Sequence, residues 1–208
     1  MKPLFIVFEG LDGSGTSTQS RLLVKHLCEG LGTRAHLTSE PSGGPIGQMI
    51  RSALSGRLQF SADERVYDEQ LAYLFAADRH DHLWNDTDGV MRLLERGSHV
   101  VSTRYFFSSF AYHCRTDAEL TFVRSLNAKF PDPDAVIFID VGVDVSARRL
   151  AERPHLDRYE SEEKLHAVRA AYERSFEKYY GPFLRVDGTE SADAVHARIT
   201  TFIEALLQ

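Results

Sequence analysis

The 208-residue sequence has few cysteines, no long apolar runs and no surplus of positive charge. Its two cysteines, Cys28 and Cys114, are too few for a disulfide framework or a metal-ligand spacing, and we interpret them as inert core thiols. The first apolar run, Leu4 to Phe8, is far shorter than a signal-peptide core, and no run is long enough to span a membrane. The formal net charge of −6 argues against a dedicated nucleic-acid binder. We therefore predict a soluble cytoplasmic protein that binds neither nucleic acid nor membranes.

The composition is that of an ordinary globular protein. Hydrophobic residues make up 43% and charged residues 26%, which excludes a disordered or fibrous chain. The sequence contains no internal repeat and no linker-like segment. We therefore predict that residues 1–208 form a single domain with its own buried core.

Short apolar segments alternate with longer helical patterns from end to end of the chain. Because the helical connections are too long for hairpins, the pattern predicts an α/β fold with a parallel sheet covered by helices on both faces. The predicted strands are Leu4–Phe8, Arg34–Thr38, His99–Thr103, Ala135–Ile139 and Phe183–Val186. The predicted helical stretches are Thr16–Leu31, Ile46–Leu54, Ala62–Glu95 with an interruption at 85–89, Ser108–Phe130, Asp144–Arg153, a segment ending at Tyr180, and Ser191–Leu207. Ligands of such folds bind beyond the carboxyl ends of the strands.

A glycine-rich loop follows the first predicted strand. It fits the phosphate-loop pattern G-x-x-x-x-G-K-[ST], except that Thr16 stands at the lysine position. Glycines allow backbone N–H groups to surround phosphate oxygens, and the following helix directs its positive end at them. The alternative is an ordinary glycine-rich turn, but the position between a buried strand and an amphipathic helix favours phosphate binding. The predicted phosphate-binding residues are Gly10, Asp12, Gly13, Ser14, Gly15, Thr16, Ser17 and Thr18.

The missing lysine has a consequence for catalysis. A cation 4 Å from a phosphate charge contributes about 4 kcal/mol at an effective dielectric constant near 20. Without a substitute the rate would fall by about two to three orders of magnitude. Either another cation reaches the phosphoryl group, or the protein binds nucleotide without turnover. Four arginines follow the fourth predicted strand and are candidate substitutes: Arg148, Arg149, Arg153 and Arg158.

Five motifs in order along the chain resemble those of the thymidylate kinase family. They are the opening strand and loop, Glu40–Gly44 with Arg51, Leu74-Phe75-Ala76-Ala77-Asp78-Arg79, Arg104-Tyr105 with Ser108–Tyr112, and Asp140-Val141 with the arginines that follow. The resemblance covers nearly the whole chain. It implies a three-layer P-loop nucleoside-monophosphate-kinase fold with a five-stranded parallel sheet and a short lid at about 149–162. It also implies Mg²⁺- and ATP-dependent phosphorylation of dTMP to dTDP, for dTTP synthesis, by a homodimer.

The resemblance also implies roles for individual residues. Arg51 and Arg104 would hold the phosphate of dTMP, Asp12 would bind the sugar 3′ hydroxyl, and Tyr112 would lie against the 2′ carbon. The residues predicted to contact thymine are Phe75, Arg79 and Ser109. The residues predicted to act in phosphoryl transfer are Arg104, Ser17 and Arg153, of which Arg153 would replace the missing lysine. Arg149 would bind ATP, for example by packing on adenine. Mg²⁺ would bind Ser17 directly and Glu9 or Asp140 through water.

The chain departs from the family pattern at Thr16, Thr103, Ser39 and His113. Thr103 stands where the family has an aspartate, so the first two departures remove one positive and one negative charge. Two alternatives to a dTMP kinase follow. The chain could phosphorylate another pyrimidine monophosphate such as dUMP, or it could bind nucleotide without catalysis. If the enzyme is active, we expect Arg153→Ala to lower kcat at least tenfold.

Overall fold

The computed structural model describes residues 2–151 and 162–208. Each strand of the described chain is followed by one or more helices. The strands are β1 (Phe5–Gly10), β2 (Ala35–Ser39), β3 (His99–Thr103), β4 (Ala135–Asp140) and β5 (Phe183–Asp187). The helices are α1 (Thr16–Lys25), α2 (Pro45–Leu54), α3 (Glu64–Trp84), α4 (Val90–Glu95), α5 (Phe106–Tyr112), α6 (Asp117–Asn127), α7 (Val143–Ala151), α8 (Glu162–Phe176) and α9 (Ala192–Leu207).

The strands form a parallel sheet of order β2-β3-β1-β4-β5. The first strand lies at its centre, with Phe5 opposite Val100 of β3 and Ile6 opposite Ala135 of β4. Every residue of β1 is buried, as its uninterrupted apolar sequence predicts for a strand covered on both faces. The prediction of a five-stranded parallel sheet with helices on both faces is confirmed.

Alternate side chains of β1 enter two separate cores. Phe5 and Val7 belong to the core that includes residues of α3, α5 and α8. Ile6 and Phe8 belong to the core that includes residues of α1 and α9. Of the two cysteines, Cys114 is buried but Cys28 is only half-buried. The prediction of core thiols is therefore right for one cysteine and wrong for the other.

Two predicted helices differ from the structure in their extent. The predicted helix 16–31 is α-helical only to Lys25 and continues as a π-helix over His26–Gly30, in which the Leu31 N–H donates to the His26 carbonyl at 3.1 Å. The stretch 108–130 is two helices, α5 and α6, because Thr116 starts a new helix with a capping box. The predicted interruption between α3 and α4 is confirmed.

Most of the predicted lid lies outside the described residues, together with Arg153 and Arg158. Among the described helices, none combines the length and the apolar character needed to cross a membrane.

Candidate active site

A cavity of about 150 Å³ opens beyond the carboxyl ends of β1 and β3. This is the edge of a parallel sheet where ligands are expected. Six of the seven residues predicted to bind dTMP line the cavity: Asp12, Phe75, Arg79, Arg104, Ser109 and Tyr112. Residues from distant parts of the sequence therefore meet at one cavity.

The glycine-rich loop joins β1 to α1, where the sequence predicts a phosphate cradle. Gly10 permits a close approach, since a Cβ there would lie 2.7 Å from the Ile139 carbonyl oxygen. Gly15 precedes α1 with φ of 101°, a left-handed conformation that glycine adopts without strain. The first N–H groups of a helix have no partner within it, so α1 can offer the amides of Thr16 and Ser17 to an anion.

Arg149 of α7 supports the carbonyl side of this loop. Its Nη1 donates to the Gly13 carbonyl at 3.1 Å, and its Nη2 donates to the Gly188 carbonyl at 3.0 Å. Carbonyl and amide groups of a trans peptide point in opposite directions. The Ser14 N–H of the Gly13 peptide donates to the Leu11 carbonyl at 3.0 Å. The Arg149 Nη1 also lies 3.5 Å from the Ser14 carbonyl, so the N–H of that next peptide, which belongs to Gly15, faces the opposite side of the loop, where a phosphate would bind.

Thr16 and Thr103, the two positions where the family pattern has a charged residue and this chain does not, both carry hydroxyl groups. Thr16 is buried at the start of α1, and the Thr103 Oγ1 lies 3.1 Å from the Ser20 Oγ. This contact links β3 to α1 without a charged group. Ser17, by contrast, is exposed at the start of α1.

Arg104 is the centre of a polar cluster on the cavity wall. Its Nη2 lies 2.5 Å from the Asp12 Oδ1 and donates to the Tyr112 hydroxyl at 3.3 Å, while that hydroxyl donates to the Asp12 Oδ2 at 2.8 Å. Its Nη1 donates to the hydroxyls of Ser108 at 3.1 Å and Tyr172 at 3.0 Å. Arg104 has φ of 72°, a value that a non-glycine residue adopts only when its surroundings hold it. The cluster therefore fixes a cation in the cavity.

Arg79 is deeper in the protein than the sequence suggests, with 1% of its surface exposed. Its guanidinium forms a buried ion pair with Glu40 at 2.7 Å and donates to Ser109 at 3.1 Å and to Asn127. Phe75 lies beside it on the cavity wall, 5.0 Å from the His113 ring. Burial lowers the pKa of His113 to about 3, so this imidazole is neutral at physiological pH.

Arg51 is the one predicted dTMP-binding residue that does not line the cavity. It is exposed on α2, and its guanidinium donates to the carbonyls of Pro41 and Ser42. It therefore borders the 40–44 segment, and only a rearrangement of its side chain would bring it onto a ligand in the cavity.

The predicted water-mediated magnesium ligands, Glu9 and Asp140, already have protein partners. Glu9 has no exposed surface and accepts hydrogen bonds from the Tyr105 N–H and from two hydroxyls. Asp140 is paired with Arg169 at 3.2 Å and with Arg185 at 2.5 Å. Within the described residues, no group of three His, Cys, Asp or Glu side chains could hold a metal ion. These contacts do not favour Glu9 or Asp140 as metal ligands, and the exposed Ser17 hydroxyl fits the role better.

Sequence reasoning missed two contributors to the site. Glu40 was part of a recognised motif, but its ion pair with Arg79 gave no local signal. Tyr172 of α8 belongs to no motif that we identified, and only the fold brings its hydroxyl to Arg104.

A parallel sheet with a glycine-rich loop after its first strand, beside a cavity that holds a fixed cation, defines a P-loop nucleotide-binding protein. Comparison with known proteins identifies the family. The family model described as thymidylate kinase matches residues 8–199, so the chain belongs to the thymidylate kinase family.

Individual relatives match over nearly their whole length. The chain is 34% identical to a "Probable thymidylate kinase" of Methanococcus aeolicus, over 94% of this chain and 93% of the relative. It is 35% identical to a "Probable thymidylate kinase" of Thermococcus kodakarensis, over 98% of both chains. A Treponema pallidum protein with a provisional thymidylate kinase name is 36% identical, over 94% of this chain and 92% of the relative.

Proposed function

We propose that this chain is a dTMP kinase, which transfers the γ-phosphoryl group of ATP to dTMP and releases dTDP and ADP. Because the chain belongs to the thymidylate kinase family, one structural observation is the main support for this proposal. A single cavity combines a fixed cation, Arg104, with the aromatic side chains of Phe75 and Tyr112, and the glycine-rich loop borders it through Asp12.

On the acceptor side, Arg104 would bind the phosphate of dTMP through its positive charge and its Nε–H, because both terminal nitrogens already donate to protein oxygens. Asp12 and Tyr112, which are hydrogen-bonded to each other, would contact the sugar. Phe75 would stack on the pyrimidine, and Arg79 and Ser109 would offer hydrogen bonds to its edge. In this proposal Glu40 holds the Arg79 guanidinium, whose burial favours a planar uncharged base next to it.

On the donor side, the loop amides would bind the polyphosphate of ATP. Bound Mg²⁺ would neutralise charge on the phosphate oxygens, and Ser17 would be its protein ligand, together with phosphate oxygens and water. Arg149 would hold the loop in shape through the Gly13 carbonyl. Arg153, in the segment 152–161, stays our candidate for the cation that replaces the missing lysine.

The reaction then needs positioning and charge neutralisation more than acid–base catalysis. An oxygen of the dTMP phosphate attacks the γ-phosphorus, the bond from that phosphorus to the β–γ bridging oxygen breaks, and ADP leaves with the bond's electrons. The attacking phosphate is already an anion, so no general base is required. Arg104 would orient it, and its interaction would strengthen as charge moves.

The test is a coupled ADP-release assay with Mg-ATP and each of dTMP, dUMP, UMP and dCMP. We expect the highest kcat/KM with dTMP. A higher value with dUMP would identify a kinase for another pyrimidine monophosphate. Binding of ATP and dTMP by calorimetry with no ADP released over hours would identify a nucleotide-binding protein without turnover, which the uncharged Thr16 and Thr103 make a specific alternative.

We also propose that the chain forms a homodimer through α3. Two large apolar side chains on this helix, Tyr73 and Trp84, are 50% and 41% exposed. They are spaced three helical turns apart, with the exposed Ala77 and His80 between them on the same face. A stripe of this kind is typical of a surface that packs against another helix.

A further inference from the structure

We propose that Tyr172 of α8 is a positioning residue for Arg104, so that the helix that begins after residue 161 controls how well the monophosphate is held. This inference rests on the proposed function, since it assigns Arg104 to the acceptor phosphate. Nothing in the family motifs that we recognised includes Tyr172.

Two hydroxyl groups connect Arg104 to a buried carboxylate that it does not touch. The Nη1 of Arg104 donates to the Tyr172 hydroxyl at 3.0 Å and to the Ser108 Oγ at 3.1 Å. The Tyr172 hydroxyl donates to the Glu9 Oε2 at 2.8 Å, and the Ser108 Oγ donates to the same oxygen at 2.6 Å. A hydroxyl has one proton to donate and lone pairs to accept, so each can serve both partners at once.

This arrangement makes Glu9, in its ionised form, an indirect counter-ion of Arg104. Asp12 binds the other terminal nitrogen, Nη2, at 2.5 Å, so the guanidinium is held from both sides. The guanidinium is planar and its donors have a fixed fork geometry. When Nη1 is held by the two hydroxyls and Nη2 by Asp12, the plane that the guanidinium presents to a phosphate is fixed as well.

Packing fixes the position of the Tyr172 hydroxyl in turn. The Tyr172 ring is fully buried, with its centroid 5.3 Å from that of Phe138 in β4 and 5.8 Å from that of Phe176 in α8. Its edge-to-face contact with Tyr112 has a centroid distance of 6.2 Å. A shift of α8 would therefore move the hydroxyl and release Nη1 of Arg104. The helix that follows residues 152–161 is thereby linked to the binding of the acceptor.

The test is Tyr172→Phe, which removes the hydroxyl and keeps the ring. We expect the KM for dTMP to rise about tenfold, the effect of losing one hydrogen bond to a charged group. The KM for ATP should stay within about twofold, because the hydroxyl reaches the glycine-rich loop through a long hydrogen bond, 3.4 Å to the Gly10 carbonyl, and contacts none of the loop amides. A general structural defect would change both KM values and lower the melting temperature in proportion.

Tyr179→Phe is the matched control. Its hydroxyl also donates to protein acceptors, the carbonyls of Pro133 at 3.0 Å and Pro182 at 3.4 Å, and neither of these bonds involves Arg104. We expect both KM values of this variant to match the wild type. Ser108→Ala, which removes the second hydroxyl, should also raise the KM for dTMP. Combined with Tyr172→Phe, it should give a change that departs from the sum of the two single effects, because both hydroxyls serve the same guanidinium.

The outcomes separate the two proposals. If the wild type phosphorylates dTMP and Tyr172→Phe has an unchanged KM for dTMP, the positioning role is wrong and the proposed function stands. If the wild type binds ATP but does not phosphorylate dTMP, the proposed function is wrong, and the inference falls with it.

Discussion

Thr16 and Thr103 place two hydroxyl-bearing residues where the thymidylate kinase pattern has a lysine and an aspartate. Thr16 is buried, and Thr103 is bonded to Ser20 at 3.1 Å. The two substitutions leave the local net charge unchanged, which is consistent with a site that has lost an ion pair as a unit. A charged side chain introduced at only one of these two positions would lack its partner. Burying an unpaired charge costs free energy.

We therefore predict that Thr16→Lys alone will change kcat by less than about threefold, because the new lysine would lack the carboxylate that pairs with it. The double variant Thr16→Lys/Thr103→Asp restores both charges and should exceed the single variant in kcat. Steady-state kinetics with dTMP and Mg-ATP measure both. A large gain from Thr16→Lys alone would mean that the wild-type site is simply impaired.

The buried Glu9 predicts how stability depends on pH. Burial raises the pKa of the Glu9 carboxyl from 4.5 to about 7, although Arg104 and three hydrogen-bond donors oppose the shift. The folded state therefore binds a proton that the unfolded state has released between pH 4.5 and 7. The stability that protonation of Glu9 contributes is fully present below pH 4.5 and is lost as the pH rises through 7.

The expected loss from this group is about 3 kcal/mol between pH 4.5 and 8, at 1.36 kcal/mol per pKa unit. Urea unfolding of the wild type and of Glu9→Gln at several pH values measures it as the difference between the two curves. Parallel curves for the two proteins would show that Glu9 does not titrate in this range.

The roles of single residues were only partly predictable from the sequence. The glycine-rich loop was predictable because it is local and lies between a strand and a helix. The buried position of Arg79 was not, because its partner Glu40 is 39 residues away. Asp140 was correctly placed at a strand end, but Arg169 and Arg185, which pair with it, come from α8 and β5.

At the scale of elements, α3 holds the segment 40–44 against the cavity through two adjacent residues. The Asp78 carboxylate accepts hydrogen bonds from the Ser42 N–H at 2.7 Å and from its hydroxyl at 2.6 Å, while Arg79 pairs with Glu40 at 2.7 Å. The motif that the sequence analysis assigned to base recognition therefore also fixes a neighbouring loop. The two consecutive charged residues were visible in the sequence, but their role in holding the segment 40–44 was not predicted from it.

Helix α2 packs against the same segment at a glycine. A Cβ on Gly47 would lie 2.1 Å from the Ser42 carbonyl oxygen, so Gly47→Ala must displace the backbone of the segment. We expect a loss of about 1–3 kcal/mol in the free energy of unfolding, which is typical of overpacking, and a raised KM for dTMP.

Gly43→Ala is the control within the same segment. A Cβ at Gly43 meets nothing within 4 Å, and its φ is not in the left-handed region. Urea unfolding should give nearly the wild-type stability for this variant. Equal stability losses for the two variants would contradict the close approach at Gly47.

Boundaries of elements were predictable where a local signal exists. The apolar run of β1 and the break between α3 and α4 agree with the structure. The π-helix after α1 was not predictable from periodicity, since its residues continue the apolar pattern of the α-helix. Helix α6 begins after Thr116 because Thr116 and Glu119 form a capping box. This signal was present in the sequence, but the prediction of one continuous helix did not use it.

At the scale of the whole molecule, the proposed homodimer predicts a sedimenting species of twice the 23.5 kDa chain mass. Trp84→Glu places a charge on the exposed stripe of α3 and should shift the species to a monomer in analytical ultracentrifugation. Tyr180→Glu is the control, because Tyr180 is 93% exposed and lies between α8 and β5, outside the α3 stripe. A wild-type monomer at micromolar concentration would contradict the proposal.

The prediction that residues 1–208 form one domain stays a prediction at this scale. A single cooperative unfolding transition, the same by fluorescence and by circular dichroism, is the expected result for one domain.

The strand order has a consequence for synthesis of the chain on the ribosome. Strand β1 pairs with β3, which begins at residue 99, and with β4, which begins at residue 135, so both neighbours are synthesised well after it. A nascent chain that stops before β4 leaves one edge of β1 without its neighbour, and an unpaired apolar strand edge favours aggregation. The glycine-rich loop leaves β1 at its carboxyl end, so the nucleotide cradle takes its final shape only after residue 140, the end of β4, has been synthesised, a delay typical of pairings between distant residues.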